Sequence, residues 1–338
     1  MRDMANYVKI SVLGQPELKT PYSDDLESKV QEMMAYLRAG VEKVVPDKLD
    51  LIVVPEVVDR FPSFNMEQRK AYYQYRGDRF LNFYREIAKE NHCYIAYSAV
   101  RYLPEEDKLP YRNSTQIIGR DGEIVGIYDK NHLVPYELDN GEIAYGTEAP
   151  VFELDFGRVA CAICFDLNYT ELLDRYAAQK PDLIIFSSMY HGGLMQQAWA
   201  YTCRAHFVGA ICGQQSRVLN PFGETVASST NYFDFVTARV NLDCVIVHLD
   251  NHFEKIAAAK KKYGELLQMH DPGYYGGVLL SYEGTDRTVR DIMQEFDMIT
   301  MDEYFDACRA HRRKWTGEQA VNHRVSQTSN NEEMKGCI

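Results

Sequence analysis

Three polar residues stand where apolar segments end, and together they form a set able to break an amide bond. Glu56 closes the run LIVVP, Lys130 closes IVGIYD, and Cys164 sits in VACAICFDLNYTE, where an apolar stretch gives way to polar residues. A thiolate is a strong nucleophile, and an ammonium beside it lowers the thiol pKa and offers charge to a developing oxyanion. A carboxylate at the end of an apolar strand is desolvated, which raises its pKa toward neutrality and suits it to accept a proton. Taken singly, each residue has a plainer role. A glutamate at a strand end is commonly half-exposed, a lysine after a hairpin faces solvent, and a cysteine in an apolar strand belongs to the core. What singles these three out is their order and the strand context they share.

The elements that must carry them follow from periodicity. YVKISVLGQ, 7–15, reads as a strand, and Leu26, Val30, Met33, Met34 and Leu37 recur at helical spacing within 22–45. LDLIVVPE, 49–56, is a buried strand, 67–90 one long helix with Gly77 as its weak point, and HCYIAYSAV, 92–100, another strand. RNSTQIIGR and GEIVGIYDK flank Asp121–Gly122 and predict a hairpin. A polar loop over 131–150 precedes a second hairpin that turns near 155–157. The spacing then predicts a helix over 169–180, a strand in PDLIIFSS, a helix over 193–209 leading into the strand AICGQQS, and a turn at NPFGE. More strands follow near 225–248, and KIAAAKKKYGELLQ is helical. Interleaved helices and strands, interrupted by hairpins, favour an α/β architecture with mixed sheets. No GxGxxG follows the first strand and no GxxxxGK[ST] occurs, so a nucleotide cradle is not expected.

Composition removes other classes. The 338 residues carry 37 Lys and Arg against 49 Asp and Glu, a net charge of −12, which argues against a nucleic-acid partner. The apolar runs are too short to cross a bilayer, and MRDMANYVKISVLG has no signal-peptide core, so a cytoplasmic enzyme is the expectation. The eight cysteines fall mostly in apolar segments and read as free thiols. Cys161, Cys164, Cys203 and His206 can be counted as a zinc set. However, residues three apart on a regular strand point to opposite faces, and Ala162–Ile163 offers no turn former. No metal or other cofactor is expected.

The chain resembles the carbon–nitrogen hydrolase family, also called the nitrilase superfamily, over about residues 5–285. The likeness lies in VVPE with Glu56, YDKNHLVPYE with Lys130, CFDLNYTE with Cys164, and the later PDLIIFSS, RAHFVGAICGQQS and NPFGE. It implies a four-layer αββα sandwich with two central mixed β-sheets, and a homo-oligomer, dimer or larger. It also implies a Glu56–Lys130–Cys164 triad with Glu137 as a further acid holding the lysine, although Glu137 is also one of several acids in a polar loop. The Phe165 backbone N–H would share the oxyanion with Lys130. RAHF is similar to a family stretch in which a glutamate follows RA two residues on; here His206 stands there, and Arg204 would bridge to Glu171 and fix the cysteine loop. The implied activity is hydrolysis of a small non-peptide amide through a cysteine thioester, releasing ammonia or an amine. The hydrolase domain would span 1–285. A helical and polar extension, 286–338, would pack on it or on a neighbouring subunit.

Departures from the family bear on the substrate. Acid-specific amide and carbamoyl hydrolases place an arginine three or four residues after the cysteine, where this chain has Leu167 and Asn168. The bidentate donor is missing from that element, so an anionic substrate would need another residue. Nitrile hydrolysers read Cys-Trp-Glu where this chain reads Cys-Phe-Asp, which favours an amide over a nitrile. An N-carbamoyl amide stays open, as does a non-catalytic scaffold that keeps the fold. Tyr136, Tyr145, Asn168, Tyr169, Met189, Tyr190 and His191 fall in loops expected around the pocket, where packing accounts for them equally well.

Overall fold

The apolar runs become strands buried on both faces, and their ends set out the polar residues. The computed structural model describes residues 5–106 and 108–317. The chain opens with β1 (Tyr7–Leu13), α1 (Leu26–Val41), β2 (Leu51–Val53), α2 (Met66–Arg76), α3 (Arg79–Asn91) and β3 (Tyr94–Tyr102). The first hairpin is β4 (Tyr111–Ile118) with β5 (Ile124–Asp129), followed by the short α4 (Pro135–Asp139). Next come β6 (Val151–Leu154), β7 (Gly157–Ile163), α5 (Thr170–Gln179), β8 (Leu183–Ser188), α6 (Leu194–Cys203) and β9 (His206–Ile211). β10 (Arg217–Leu219), β11 (Thr225–Ser228) and β12 (Phe235–Asn241) complete two sheets.

The first sheet has the order β12-β1-β2-β3-β4-β5 and the second β11-β10-β9-β8-β7-β6. In each, two parallel pairings lie between antiparallel ones: β1–β2 and β2–β3 in the first, β7–β8 and β8–β9 in the second. Side chains that alternate along a strand reach two cores. Leu51 and Val53 of β2 face the second sheet, whereas Ile52 and Val54 face α1, α2 and α3. On the far side of the second sheet, α5 and α6 contribute Leu172, Tyr176 and Trp199. The result is the expected sandwich of two central mixed sheets flanked by helices.

Two expected helices are corrected. The stretch 67–90 forms α2 and α3 rather than one rod, because Gly77 turns at φ 48, a region open to a residue without Cβ. The helix expected over 193–209 stops at Cys203, Arg204 takes a left-handed conformation (φ 54), and His206 starts β9. His206 is therefore a buried strand residue whose Nδ1 lacks a partner.

A third sheet follows, built from β13 (Cys244–His248), β14 (Leu267–His270) and β15 (Gly277–Tyr282), with α7 (Phe253–Tyr263) between β13 and β14. α8 (Val289–Glu295) and α9 (Met301–Thr316) close the described chain. Val245, Ile256, Leu280, Val289 and Ile292 share one core, so a boundary at 285 cuts through a packed cluster. The rest of the expected extension, 318–338, lies outside the described residues. Among the described residues, no helix is long and apolar enough to cross a membrane.

Candidate active site

Four strand ends deliver the polar groups to one cavity of about 230 Å³, which Glu56, Lys130, Glu137, Cys164, Asn113 and Met189 help to line. Glu56 lies just past β2, Lys130 follows β5, Cys164 follows β7 and Met189 follows β8. Open α/β sheets place their sites beyond the carboxyl ends of parallel strands, and β2, β7 and β8 do so here. Two of these turns are strained. Cys164 has φ 49 and Val57, next to Glu56, has φ 43, a value that a β-branched residue rarely adopts. Such outliers cost about 1–3 kcal/mol each and cluster at functional sites.

The buried charges are closely bonded. Lys130 Nζ donates to Glu56 Oε1 at 2.9 Å and to Glu137 Oε2 at 2.8 Å. Asn113 Nδ2 donates to Glu56 Oε1 at 2.8 Å and to Glu137 Oε1 at 3.0 Å. Two acceptor-only carboxylates fix which end of that amide faces them. The Met189 N–H donates to Glu56 Oε2 at 3.1 Å, and the Val134 N–H donates to Glu137 Oε2 at 2.9 Å. Glu56 also hydrogen-bonds the Cys164 thiol. Lys130 and Glu56 are almost fully buried, with side chains 2% and 4% exposed.

Their ionisation departs from the sequence expectation. Burial acts hardest on Glu56 and raises its pKa, but the Lys130 charge and the hydrogen bonds from Lys130, Cys164 and Asn113 together outweigh it. The carboxyl ends below its ordinary 4.5 rather than near neutrality. Burial likewise opposes the Lys130 charge, yet Glu56, Glu137 and Cys164 overcome it and hold the side chain as an ammonium. Burial and the Glu56 charge push the Cys164 thiol up to about 12 against the pull of Lys130. The expected lowering by the ammonium is thus overridden. At neutral pH the pair is a protonated thiol hydrogen-bonded to a carboxylate. A sulfur in this state can act as a nucleophile only by giving up its proton.

Asp166 is a residue to which sequence reasoning gave no structural role. It is fully buried and accepts from the Tyr128 hydroxyl at 2.6 Å, the Ile163 N–H at 2.9 Å and the His132 N–H at 2.8 Å. Tyr128 and His132 flank Lys130, so one carboxylate ties the cysteine turn to the lysine segment. Asn113 was missed as well. Its signal was present: Asn113, Ser114, Thr115 and Gln116 are four consecutive polar residues in a strand, and all are buried.

Of the expected pocket residues, Tyr136 and Met189 line the cavity. Tyr145, Asn168, Tyr169, Tyr190 and His191 are absent from its wall, because most of them are engaged with one another or with nearby backbone. Asn168 donates to the Tyr190 hydroxyl at 3.0 Å, Tyr169 stacks on His132 at 3.8 Å between ring centroids, and the Gly193 N–H donates to His191 Nδ1 at 3.2 Å. Tyr145 is simply exposed. Phe165 is half-buried beside the cysteine. The expected bridge between Arg204 and Glu171 is not formed. Arg204 reaches Asp302 of α9 at 3.1 Å, while Glu171 is exposed and lies 3.5 Å from His132 Nε2.

Two packed mixed sheets flanked by helices, with a cysteine at the end of one and a buried glutamate–lysine pair from the other, define an αββα sandwich protein with a thiol site. The family model described as carbon-nitrogen hydrolase matches residues 9–242, and the chain belongs to that family. Among curated relatives, it is 24% identical to human omega-amidase NIT2 over 202 residues, which are 52% of this chain and 68% of that protein. Across vertebrate omega-amidases it spans between 64% and 73% of their length. The solved structure of Saccharomyces cerevisiae Nit3, a member of branch 10 of the nitrilase superfamily, superposes with a TM-score of 0.59 at 16% identity, covering 78% of this chain and 97% of that one. The Caenorhabditis elegans NitFhit protein gives 0.59 at 18% identity, covering 94% of this chain and 88% of that one. At these identities the likeness is one of fold.

Proposed function

We propose that this chain hydrolyses the carbon–nitrogen bond of a small non-peptide amide through a thioester on Cys164. The observation that carries the proposal is the convergence of Glu56, Lys130 and Cys164 on one cavity, with Glu137 and Asn113 bracing the lysine and the base. Glu56 takes the thiol proton as Sγ attacks the amide carbon. The tetrahedral oxygen is held by Lys130 and the Phe165 backbone N–H, which is where electrostatic catalysis acts most strongly. Glu56 returns the proton to the leaving nitrogen, the C–N bond breaks, and a C–S acyl bond remains. Glu56 then activates water, which releases the acid and restores the thiol. The omega-amidase relatives and the sequence Cys-Phe-Asp both favour an amide over a nitrile.

The test is an ammonia-release screen over short aliphatic, aromatic and N-carbamoyl amides, followed by intact-mass measurement. An acyl adduct localised to Cys164 is expected, together with its loss in Cys164→Ala. An adduct on another residue overturns the nucleophile. Neither adduct nor ammonia across the panel leaves the scaffold role in its place.

A pH profile gives a second check. With Glu56 ionised and Cys164 protonated through the neutral range, kcat/KM is expected to be flat between roughly pH 6 and 9. Activity should be lost as pH falls below 4.5 and Glu56 gains a proton. A kcat/KM that instead climbs steadily with pH through 9, toward the thiol's own value of about 12, would mean that free thiolate is the reactant.

A further inference from the structure

His132 has no part in the proposed chemistry and does not line the cavity. Its side chain nevertheless meets three residues of the loop that Cys164 opens. Nδ1 lies 3.0 Å from Asp166 Oδ1, the ring stacks on Tyr169 with centroids 3.8 Å apart and planes 6° from parallel, and Nε2 lies 3.5 Å from Glu171 Oε1. A carboxylate only accepts, so the ring proton facing Asp166 sits on Nδ1. The His132 backbone N–H donates to the same Asp166 oxygen at 2.8 Å, while Oδ2 accepts from the Tyr128 hydroxyl and the Ile163 N–H. Three donors from the lysine segment and one from the cysteine strand thus share a single buried carboxylate. His132 stands two residues past Lys130, and Asp166 stands two past Cys164. Tyr169 in turn meets Phe165 edge-on, with centroids 5.3 Å apart. The turn they surround is strained, with Cys164 at φ 49, and such backbone persists only where its surroundings over-determine it.

We infer that His132 is a positioning residue, which through Asp166 and Tyr169 holds the Cys164 turn in register with Lys130. Where turnover is concerned, this rests on the amide hydrolysis proposed above. His132 takes the loop-fixing part that the sequence assigned to Arg204, and it does so from the lysine segment. The Asp166 side carries the effect, because Asp166 is 0% exposed. Glu171 is 65% exposed and its contact is long, and pairs of that kind contribute little.

The test follows ammonia release and, separately, alkylation of Cys164 by iodoacetamide at pH 8, both in the full chain. His132→Ala is expected to lower kcat about 10²-fold, since a small misplacement of reacting groups costs that much, with KM within about threefold of native. His132→Asn puts an amide donor near the place of Nδ1 and should recover about tenfold of the loss, whereas Glu171→Gln should stay within about twofold of native. Once Asp166→Asn is present, adding His132→Ala should cost less than about threefold more, because the two act as one unit. Alkylation reads the same displacement without any amide. Burial is the largest cause holding the Cys164 thiol up, so a turn opened to water should alkylate at least about fivefold faster in His132→Ala and not in Glu171→Gln. Peptide mapping should find the buried Cys161 and Cys203 still unmodified. Alkylation of those two alongside Cys164 would mean general loosening and overturn the assignment. Unchanged alkylation in His132→Ala, or no recovery in His132→Asn, overturns it as well. If no amide is turned over but Cys164 alkylation still depends on His132 alone, the positioning role stands and the hydrolysis fails.

Discussion

Lys130→Ala is expected to lower kcat/KM by about 10³-fold or more, and to destabilise the protein more at pH 8 than at pH 5. On the proposed mechanism the kinetic loss follows from removing the cation assigned to the developing oxyanion, since loss of a single oxyanion donor typically costs ~10²–10³ in rate. The stability effect follows from the same geometry. The ammonium lies between two carboxylates, at 2.9 Å from Glu56 and 2.8 Å from Glu137. Breaking a buried pair by removing one member typically costs about 3–5 kcal/mol, because the other charge is left without compensation. In the variant, burial acts on Glu56 without its main opponent, so its pKa should rise above the ordinary 4.5. A carboxyl with a raised folded pKa supports the fold while it is protonated and withdraws that support as pH rises through the folded value. Denaturant melts of native and variant protein at the two pH values measure this, beside steady-state ammonia release. Equal destabilisation at both pH values would show that Glu56 does not depend on Lys130 for its charge. Near-native turnover at saturating substrate would remove the oxyanion role.

Whether these residues were legible in the sequence depended on how local their signal was. Glu56, Lys130 and Cys164 each end an apolar run, a pattern carried within ten residues, and the strands that bear them were legible for the same reason. The hairpin at Asp121–Gly122 is equally local. The matching order of pairings in the two sheets was not legible, because it lives in strand partners distant in the chain and leaves no sequence repeat. The ionisation states failed for a related reason. Burial of Glu56 could be anticipated from LIVVP, but the balance against Lys130 and Asn113 is set by distances that no spacing reports. Asp166 was noticed only as a departure from the Cys-Trp-Glu pattern, whereas its three bonds to Tyr128, Ile163 and His132 make it the strut between two segments.

Glu56→Gln is expected to block acylation, with kcat/KM falling by about 10³–10⁴ and no burst of acyl-enzyme in rapid-quench measurements. The magnitude reflects the three duties that the proposed mechanism gives one carboxylate: accepting the thiol proton, delivering it to the leaving nitrogen and activating water. The state of the thiol makes the first duty unavoidable. With the thiol pushed up to about 12 by burial and the Glu56 charge, little of it is ionised at pH 7, so the proposed attack relies on a base rather than on free thiolate. The same substitution should have an opposite effect on a simpler reaction. The Glu56 charge is one of the causes holding the thiol up, while Lys130 pulls it down. Removing the carboxylate charge leaves the ammonium unopposed at the sulfur, so alkylation of Cys164 by iodoacetamide near pH 8 should become faster. Faster alkylation with collapsed amide turnover is the outcome a proton-transferring base requires, because a residue that merely shaped the pocket would move both reactions the same way. A rapid acyl burst from the variant, or slowed alkylation beside slowed turnover, would place the proton acceptor elsewhere and return Glu56 to an ordinary partner of a buried lysine.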